Sequence, residues 1–131
     1  MKIDIYTDAS VANSKAVTSC LLLTDDYYLG CSSKKYDNVV TSLHGELLGI
    51  RDAILYLINT GKEAPATIHC DSYTAIKCVQ DPESTKFRKL IDEIHQLESG
   101  RNITYELIRG HQIEHNPNKV VDLICNTILN A

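Results

Sequence analysis

The feature that most restricts the fold of this chain is the order in which two hydrophobic periodicities occur. Period-two segments come first, and helical periodicities alternating with short strand-like runs come after them. Residues 2–8 alternate as a strand with Ile3 and Ile5 on one face, ending at Asp8. Ala16 to Thr24 is rich in Val, Thr and Leu, and Asp25-Asp26 supplies a turn. Tyr27 to Ser33 then completes an antiparallel meander.

From there the pattern changes. Ser42 is placed to cap a helix in which Leu43, Leu47, Ile50, Ile54, Leu57 and Ile58 recur at helical spacing, and Gly61 closes it. After Pro65 a short apolar run, Ala66 to Asp71, reads as a strand, and a helix follows to about Gln80, stopped by Asp81-Pro82. Ser84 opens another helix with Phe87, Leu90, Ile91, Ile94 and Leu97 as its apolar stripe and Gly100 at its end. Ile103 to Ile108 is a last strand. A loop from Gly110 to Pro117 leads into a terminal helix carrying Val120, Val121, Ile124, Ile128 and Leu129. The order βββαβααβα implies an α/β domain (α+β by some schemes): a five-stranded mixed sheet covered by helices on both faces.

The 131 residues suffice for one domain with a real core and not for two, so residues 1–131 read as a single domain. No apolar run approaches the roughly 20 residues needed to cross a bilayer, and Met1-Lys2-Ile3-Asp4 has no signal-peptide character. A cytoplasmic monomer without a membrane partner is the default expectation. Cys20, Cys31, Cys70, Cys78 and Cys125 are odd in number and contain no C-x-x-C pair. They read as small buried hydrophobes and not as a zinc site. His111 and His115 stand four apart, but Gly110 and Pro117 bracket them in a loop with no third ligand nearby. His44 and His69 read as surface histidines flanking two of the acids described next.

Four carboxylates carry the chemistry. Asp8 and Asp71 each close a strand, Glu46 lies one turn into the first long helix off its main apolar stripe, and Asp122 enters the terminal helix. Taken singly, a strand-end Asp is usually a turn or cap residue and Glu46 an exposed helix acid. Taken together, they can converge on the carboxyl-end crevice where open α/β sheets place ligands. Four like charges crowded there raise one another's pKa values unless a cation joins them. Oxygen-only ligands suit Mg²⁺ or Mn²⁺, and two such ions are the usual apparatus for in-line displacement at phosphorus. The net charge of −4 opposes a basic nucleic-acid-binding surface, but these four acids account for all of it.

The joint pattern resembles the type 1 branch of the ribonuclease H family. The residues that carry the likeness are Tyr6-Thr7-Asp8-Ala9-Ser10, Thr41-Ser42 ahead of Glu46-Leu47-Leu48-Gly49-Ile50, Cys70-Asp71-Ser72, and Gly110-His111 with Asn118-x-x-x-Asp122. The resemblance implies a ribonuclease H-like fold, with Asp8, Glu46, Asp71 and Asp122 holding two Mg²⁺ ions (Mn²⁺ a possible substitute). It implies that His111 is a mobile histidine assisting product release or proton movement. Asn118 would contact substrate, Thr41 would help hold a DNA phosphate, and Ser10, Ser42 and Ser72 would lie in the substrate-binding blocks. The implied reaction is hydrolysis of the RNA strand of an RNA–DNA hybrid, leaving 5′-phosphate ends.

The chain differs from many family members in having Asp8-Ala9-Ser10 for Asp-Gly-Ser and Ser42-Leu43 where paired asparagines stand before the glutamate. It also lacks a basic protrusion, since Asp81-Pro82-Glu83-Ser84 joins two helices directly, and Lys86, Arg88 and Lys89 around Phe87 read as a solvated face. A catalytically silent ribonuclease H-like domain that binds nucleic acid or protein is the alternative reading. A 3′–5′ exonuclease of the wider superfamily needs Asp-x-Glu in the first motif, which Asp8-Ala9-Ser10 does not supply.

Overall fold

The computed structural model describes residues 2–25, 27–81, 83, 86–108 and 117–130. Nine elements follow one another as β1 (Ile3–Ala12), β2 (Lys15–Thr24), β3 (Tyr27–Asp37), α1 (Ser42–Asn59), β4 (Ala66–Cys70), α2 (Tyr73–Gln80), α3 (Arg88–Glu98), β5 (Ile103–Leu107) and α4 (Pro117–Leu129). The strands form one sheet in the order β3-β2-β1-β4-β5. The meander β1-β2-β3 is antiparallel, while β4 and β5 join it in parallel. This is the five-stranded mixed sheet and the element order expected from the periodicities.

One boundary matters for function. Asp8 does not end its strand: β1 runs on to Ala12, where Asn13 and Ser14 turn the chain with φ of 54° and 61°. Ala12 pairs with Lys15 across that two-residue turn, the left-handed geometry that hairpins of this length need. The ladder to β4, by contrast, stops at Tyr6 and His69. Asp8 therefore lies just past the last β1–β4 pair, held extended by β2 alone.

Helix α1 packs its buried Leu47, Ile50, Ala53, Ile54 and Leu57 onto one face of the sheet, against Ile3, Ile5, Leu22 and Ile68. At roughly 1.5–3 kcal/mol for each fully buried aliphatic side chain, this layer is the main stabilising contribution. Helix α4 covers β1 and β2 from the other face, burying Asn118, Val121 and Cys125. There the Ser10 hydroxyl donates to Asn126 Oδ1 at 2.8 Å, and Cys125 Sγ donates to the Asp8 carbonyl at 3.5 Å. Val120, assigned by periodicity to the apolar stripe, is 47% exposed.

Three local expectations change. Thr41, not Ser42, caps α1, its hydroxyl accepting from the His44 amide at 3.2 Å. Phe87 is not inside a helix but sits before α3 in a left-handed conformation (φ 54°, ψ 40°), its ring stacked on His44 at 4.8 Å. Cys31 is exposed, so not every cysteine is a core residue. Ser84 lies outside the described residues. No described helix is long and apolar enough to cross a membrane.

A buried acid ties α1 to the meander. Asp52, 6% exposed, accepts from Thr18 Oγ1 at 2.7 Å and from the Tyr36 hydroxyl at 2.5 Å. Arg51 reaches Asp52 from Nε and a terminal nitrogen at 3.3 Å and ties it through another to Glu93 of α3 at 3.1 Å. Burial and the bond to Asp52 push the Tyr36 phenol up to about 12, so it remains a donor. Replacing Asp52 with Ala leaves Thr18, Tyr36 and Arg51 without their shared acceptor. Asp52→Ala is expected to lower unfolding free energy by about 3–5 kcal/mol, against roughly half of that for Asp52→Asn. Urea titration checks the ordering; equal losses would show that the charge, not the acceptor geometry, carries the network.

Candidate metal centre

The parallel ladder fixes where two of the acids stand. Ile3 pairs with Ala66 and Tyr6 with His69, a constant offset of 63 residues, so continuing the register two residues sets Asp8 level with Asp71. Both follow the alternation of Tyr6 and His69, away from the α1 face. These two rings stack with centroids 4.4 Å apart and an interplanar angle of 9°. His69 is only 8% exposed and its Nε2 meets Asp4 Oδ1 at 2.8 Å. His69 is thus no surface histidine; it is part of a packed row directly beneath the two carboxylates.

Glu46 reaches the same edge from the opposite face because α1 rides close to β1. A methyl on Gly45 would stand 2.6 Å from Val11 Cγ2, and one on Gly49 would stand 3.0 Å from Thr7 Oγ1 and 3.5 Å from the Asp8 carbonyl. The two glycines flank Glu46 and keep its helix turn against the strand that carries Asp8. Their i, i+4 spacing is visible in the sequence and is a signal of close helix–strand packing. Asp122 arrives from the second turn of α4 and is exposed, while Asp71 is exposed just beyond the end of β4.

The four carboxylates interact as a group. Glu46, Asp71 and Asp122 all stand close enough to Asp8 to act on its carboxyl. Burial, and then the negative charges of Glu46 and Asp71, raises the Asp8 carboxyl from 3.8 to about 9. Burial with the charge of Asp71 raises Glu46 to about 7. Asp71 is raised by burial on its inner side, partly offset by a hydrogen bond from Asn118. Asn118 is 7% exposed and belongs to the first turn of α4, so the Asn-x-x-x-Asp spacing puts it and Asp122 on one helix face toward the sheet edge.

Among the described residues, none of the four acids is in an ion pair with a lysine, arginine or histidine. Buried carboxylates are normally paired or coordinate a metal. All-oxygen donors in this arrangement fit a hard divalent cation. Glu46 and Asp71 are joined by a third group: their carboxylate oxygens and Cys70 Sγ all lie within 4.8 Å of one another. Cys70, expected only as a core hydrophobe, directs its thiol to Glu46 Oε2 at 3.6 Å.

The remaining candidates divide. Ser10 is engaged with α4, and Ser72 caps α2, its hydroxyl accepting from the Ala75 amide at 3.2 Å. Thr41 and Ser42 are exposed at the start of α1, about one turn from Glu46, and Thr41 lines a recess with Leu43, Lys86 and Phe87. Arg88 pairs with Asp92 at 2.7 Å, whereas Lys89 lines the groove between α1 and α3 together with His44 and Leu48. His111 lies outside the described residues, as do Gly110 and His115.

No protein-family model matches the sequence, and no curated protein sequence matches it. Solved structures do match. Ribonuclease H1 from the halophilic archaeon Halobacterium salinarum NRC-1 superposes with a TM-score of 0.83 at 14% identity, covering 99% of this chain and 98% of that one. The N-terminal ribonuclease H domain of Rv2228c from Mycobacterium tuberculosis gives 0.80 at 18% identity, over 97% and 98%. LC11-RNase H1, solved in complex with an RNA/DNA hybrid, gives 0.79 at 17% identity over 95% and 94%. At such identities the likeness speaks for architecture, and over nearly its whole length this chain has the ribonuclease H type 1 fold.

Proposed function

We propose that this protein is a divalent-metal-dependent endonuclease that hydrolyses the RNA strand of RNA–DNA hybrids and leaves 5′-phosphate ends. The observation that carries the proposal is the convergence of Asp8, Glu46, Asp71 and Asp122 from β1, α1, the end of β4 and α4 onto one sheet edge, with no basic side chain ion-paired to them among the described residues. The architecture shared with LC11-RNase H1, whose complex holds an RNA/DNA hybrid, supports the choice of substrate.

In this reading the four carboxylates hold two Mg²⁺ ions, with Mn²⁺ as a substitute. Bound there, the ions supply an activated water and neutralise the charge developing at the scissile phosphate. The chain's own groups do the rest. Asn118 fixes the Asp71 carboxylate through its amide and stands at the crevice wall, where it can also meet a 2′-hydroxyl. Thr41 and Ser42 present hydroxyls at the exposed start of α1, and the recess that Thr41 shares with Leu43, Lys86 and Phe87 accommodates the sugar-phosphate backbone of the DNA strand. Ser10 and Ser72 shape the crevice by anchoring α4 and starting α2. His111, in the segment leading to α4, is assigned to proton movement or product release. The working form is a cytoplasmic monomer.

Two outcomes test this. With Mg²⁺ or Mn²⁺, the protein should cut the RNA of a labelled hybrid and leave duplex DNA, duplex RNA and single strands intact. Asp8→Asn and Asp71→Asn should each lower the rate at least about a hundredfold. A gel assay with and without metal decides, and a parent protein that binds hybrid without cutting it would leave only the silent-domain reading.

The second outcome concerns pH. Asp8 and Glu46 hold their protons in the folded chain to about 9 and about 7, whereas their unfolded values are near 4. The folded state therefore binds more protons between those limits, and the stability of the metal-free protein falls as pH rises from about 4 toward 9. Denaturation in EDTA should show a loss of at least about 1 kcal/mol between pH 5 and pH 8. Saturating Mg²⁺ should flatten the slope, because the cation replaces the protons. A metal-free profile that is flat over this range would mean that the acids are not crowded in solution.

A further inference from the structure

The Cys70 thiol is not needed by the proposed reaction, yet it points into the carboxylate cluster. Three donors meet there from two elements: Glu46 from α1, and Cys70 and Asp71 from the end of β4. We propose that Cys70 determines the metal specificity of this centre: its sulfur joins Glu46 and Asp71 as the third donor of a site that takes a thiophilic divalent cation, Zn²⁺ or Cd²⁺. The proposal rests on the carboxylates being a cation site, as argued above, and not on the nuclease activity.

The geometry fits such an ion. A tetrahedral centre with a metal–sulfur bond of about 2.3 Å and a metal–oxygen bond of about 2.1 Å sets sulfur and oxygen about 3.6 Å apart. Cys70 Sγ and Glu46 Oε2 stand at 3.6 Å. All three donor atoms lie within 4.8 Å of one another, so side-chain shifts on the order of 1 Å complete the set. Asp71 is exposed just beyond β4, with Asn118 donating to its carboxylate, whereas Cys70 is fully buried. An ion held by these three groups would be reached from the exposed Asp71 side. The Ser72 amide donates to Cys70 Sγ at 3.4 Å, which orients the sulfur and stabilises charge on it.

Binding is balanced by one proton. The metal–sulfur bond forms as the thiol proton, directed in the metal-free chain toward Glu46 Oε2, leaves for the buffer. Mg²⁺ gains nothing from this donor, because it demands near-octahedral oxygen ligation and keeps its waters. A thiophilic ion therefore competes with Mg²⁺ for Glu46 and Asp71 while using a contact that Mg²⁺ cannot. No cysteine-only zinc spacing is involved; the donor set exists only once α1 is laid against β4.

The test uses the full metal-free chain and cadmium chloride alone. One equivalent of Cd²⁺ should produce the ultraviolet thiolate-to-cadmium band, and ¹¹³Cd NMR should show one resonance in the mixed sulfur–oxygen region. Cys70→Ser should remove the band and lower the ratio of Cd²⁺ to Mg²⁺ affinity, read by thermal shift, at least about tenfold. Glu46→Gln and Asp71→Asn should each weaken the band at limiting metal. A band of undiminished strength in Cys70→Ser, arising from another thiol such as the exposed Cys31, overturns the proposal. So does a parent ¹¹³Cd signal from oxygen donors only, a result that stands even where the serine variant fails to fold. If neither Cd²⁺ nor Mg²⁺ raises the melting temperature of the parent, the carboxylate centre itself is refuted, an outcome distinct from loss of the Cys70 contribution alone.

Discussion

The parallel pairing of β1 with β4 is the constraint from which the rest of the site follows. Parallel neighbours cannot be joined by a tight turn, and here the connection from the meander to β4 is made by α1, 18 residues long. That helix lies on one face and buries Leu47, Ile50, Ile54 and Leu57 against both strands it helps to join. The pairing sets Asp8 level with Asp71, and the crossover carries Glu46 to the same edge. A shift of one residue in the β1–β4 register would turn one of the two aspartates toward the core. The apolar alternation of Ile3, Ile5 and Ile68 forbids that shift, because it would also expose them.

The centre is bought at the expense of local comfort. Two glycines in α1 forgo helix propensity of roughly 1 kcal/mol each, and in return the helix approaches β1 closely enough to bring Glu46 beside Asp8. The acids then raise one another's proton affinity in a partly enclosed crevice. Hydrogen bonds such as that from Asn118 to Asp71 offset this repulsion only in part, and among the described residues no basic side chain is ion-paired to the acids. Asp52 shows the contrast. It is as buried as Asp8 and Glu46, yet it is surrounded by Thr18, Tyr36 and Arg51, and it reads as a structural tie and not as a site.

Much of this was legible in the sequence because it depends on local periodicity. The order of the elements, the apolar face of α1 and the places of Glu46 in α1, Asp71 just after β4 and Asp122 in α4 follow from spacing. What escaped depends on pairing between distant segments. β1 looked finished at Asp8 because alternation weakens there, but β2 keeps it extended to Ala12. His69 looked exposed because a lone histidine in a short strand usually is; its burial needs Tyr6 and Asp4 from a strand more than 60 residues away. Phe87 fits a helical stripe by spacing, and only the stack on His44 shows that it belongs to the connection before α3. Cys70 was invisible as a donor for the same reason, since its partner Glu46 lies on another element.

The row beneath the acids bears on how steady the crevice is. Tyr6 and His69 occupy paired positions on β1 and β4, and their near-parallel rings fill the gap between those strands on the crevice side. Asp4 fixes the imidazole through Nε2, and Glu106 of β5 stands 3.9 Å from Nδ1. The histidine is therefore held from three strands at once. Such a row resists both twisting and sliding of β1 against β4 immediately below Asp8 and Asp71, where the backbone ladder between them has ended. Their relative placement is thus maintained by side-chain packing where hydrogen bonding stops, and two like-charged carboxylates can be kept adjacent without prising the strands apart.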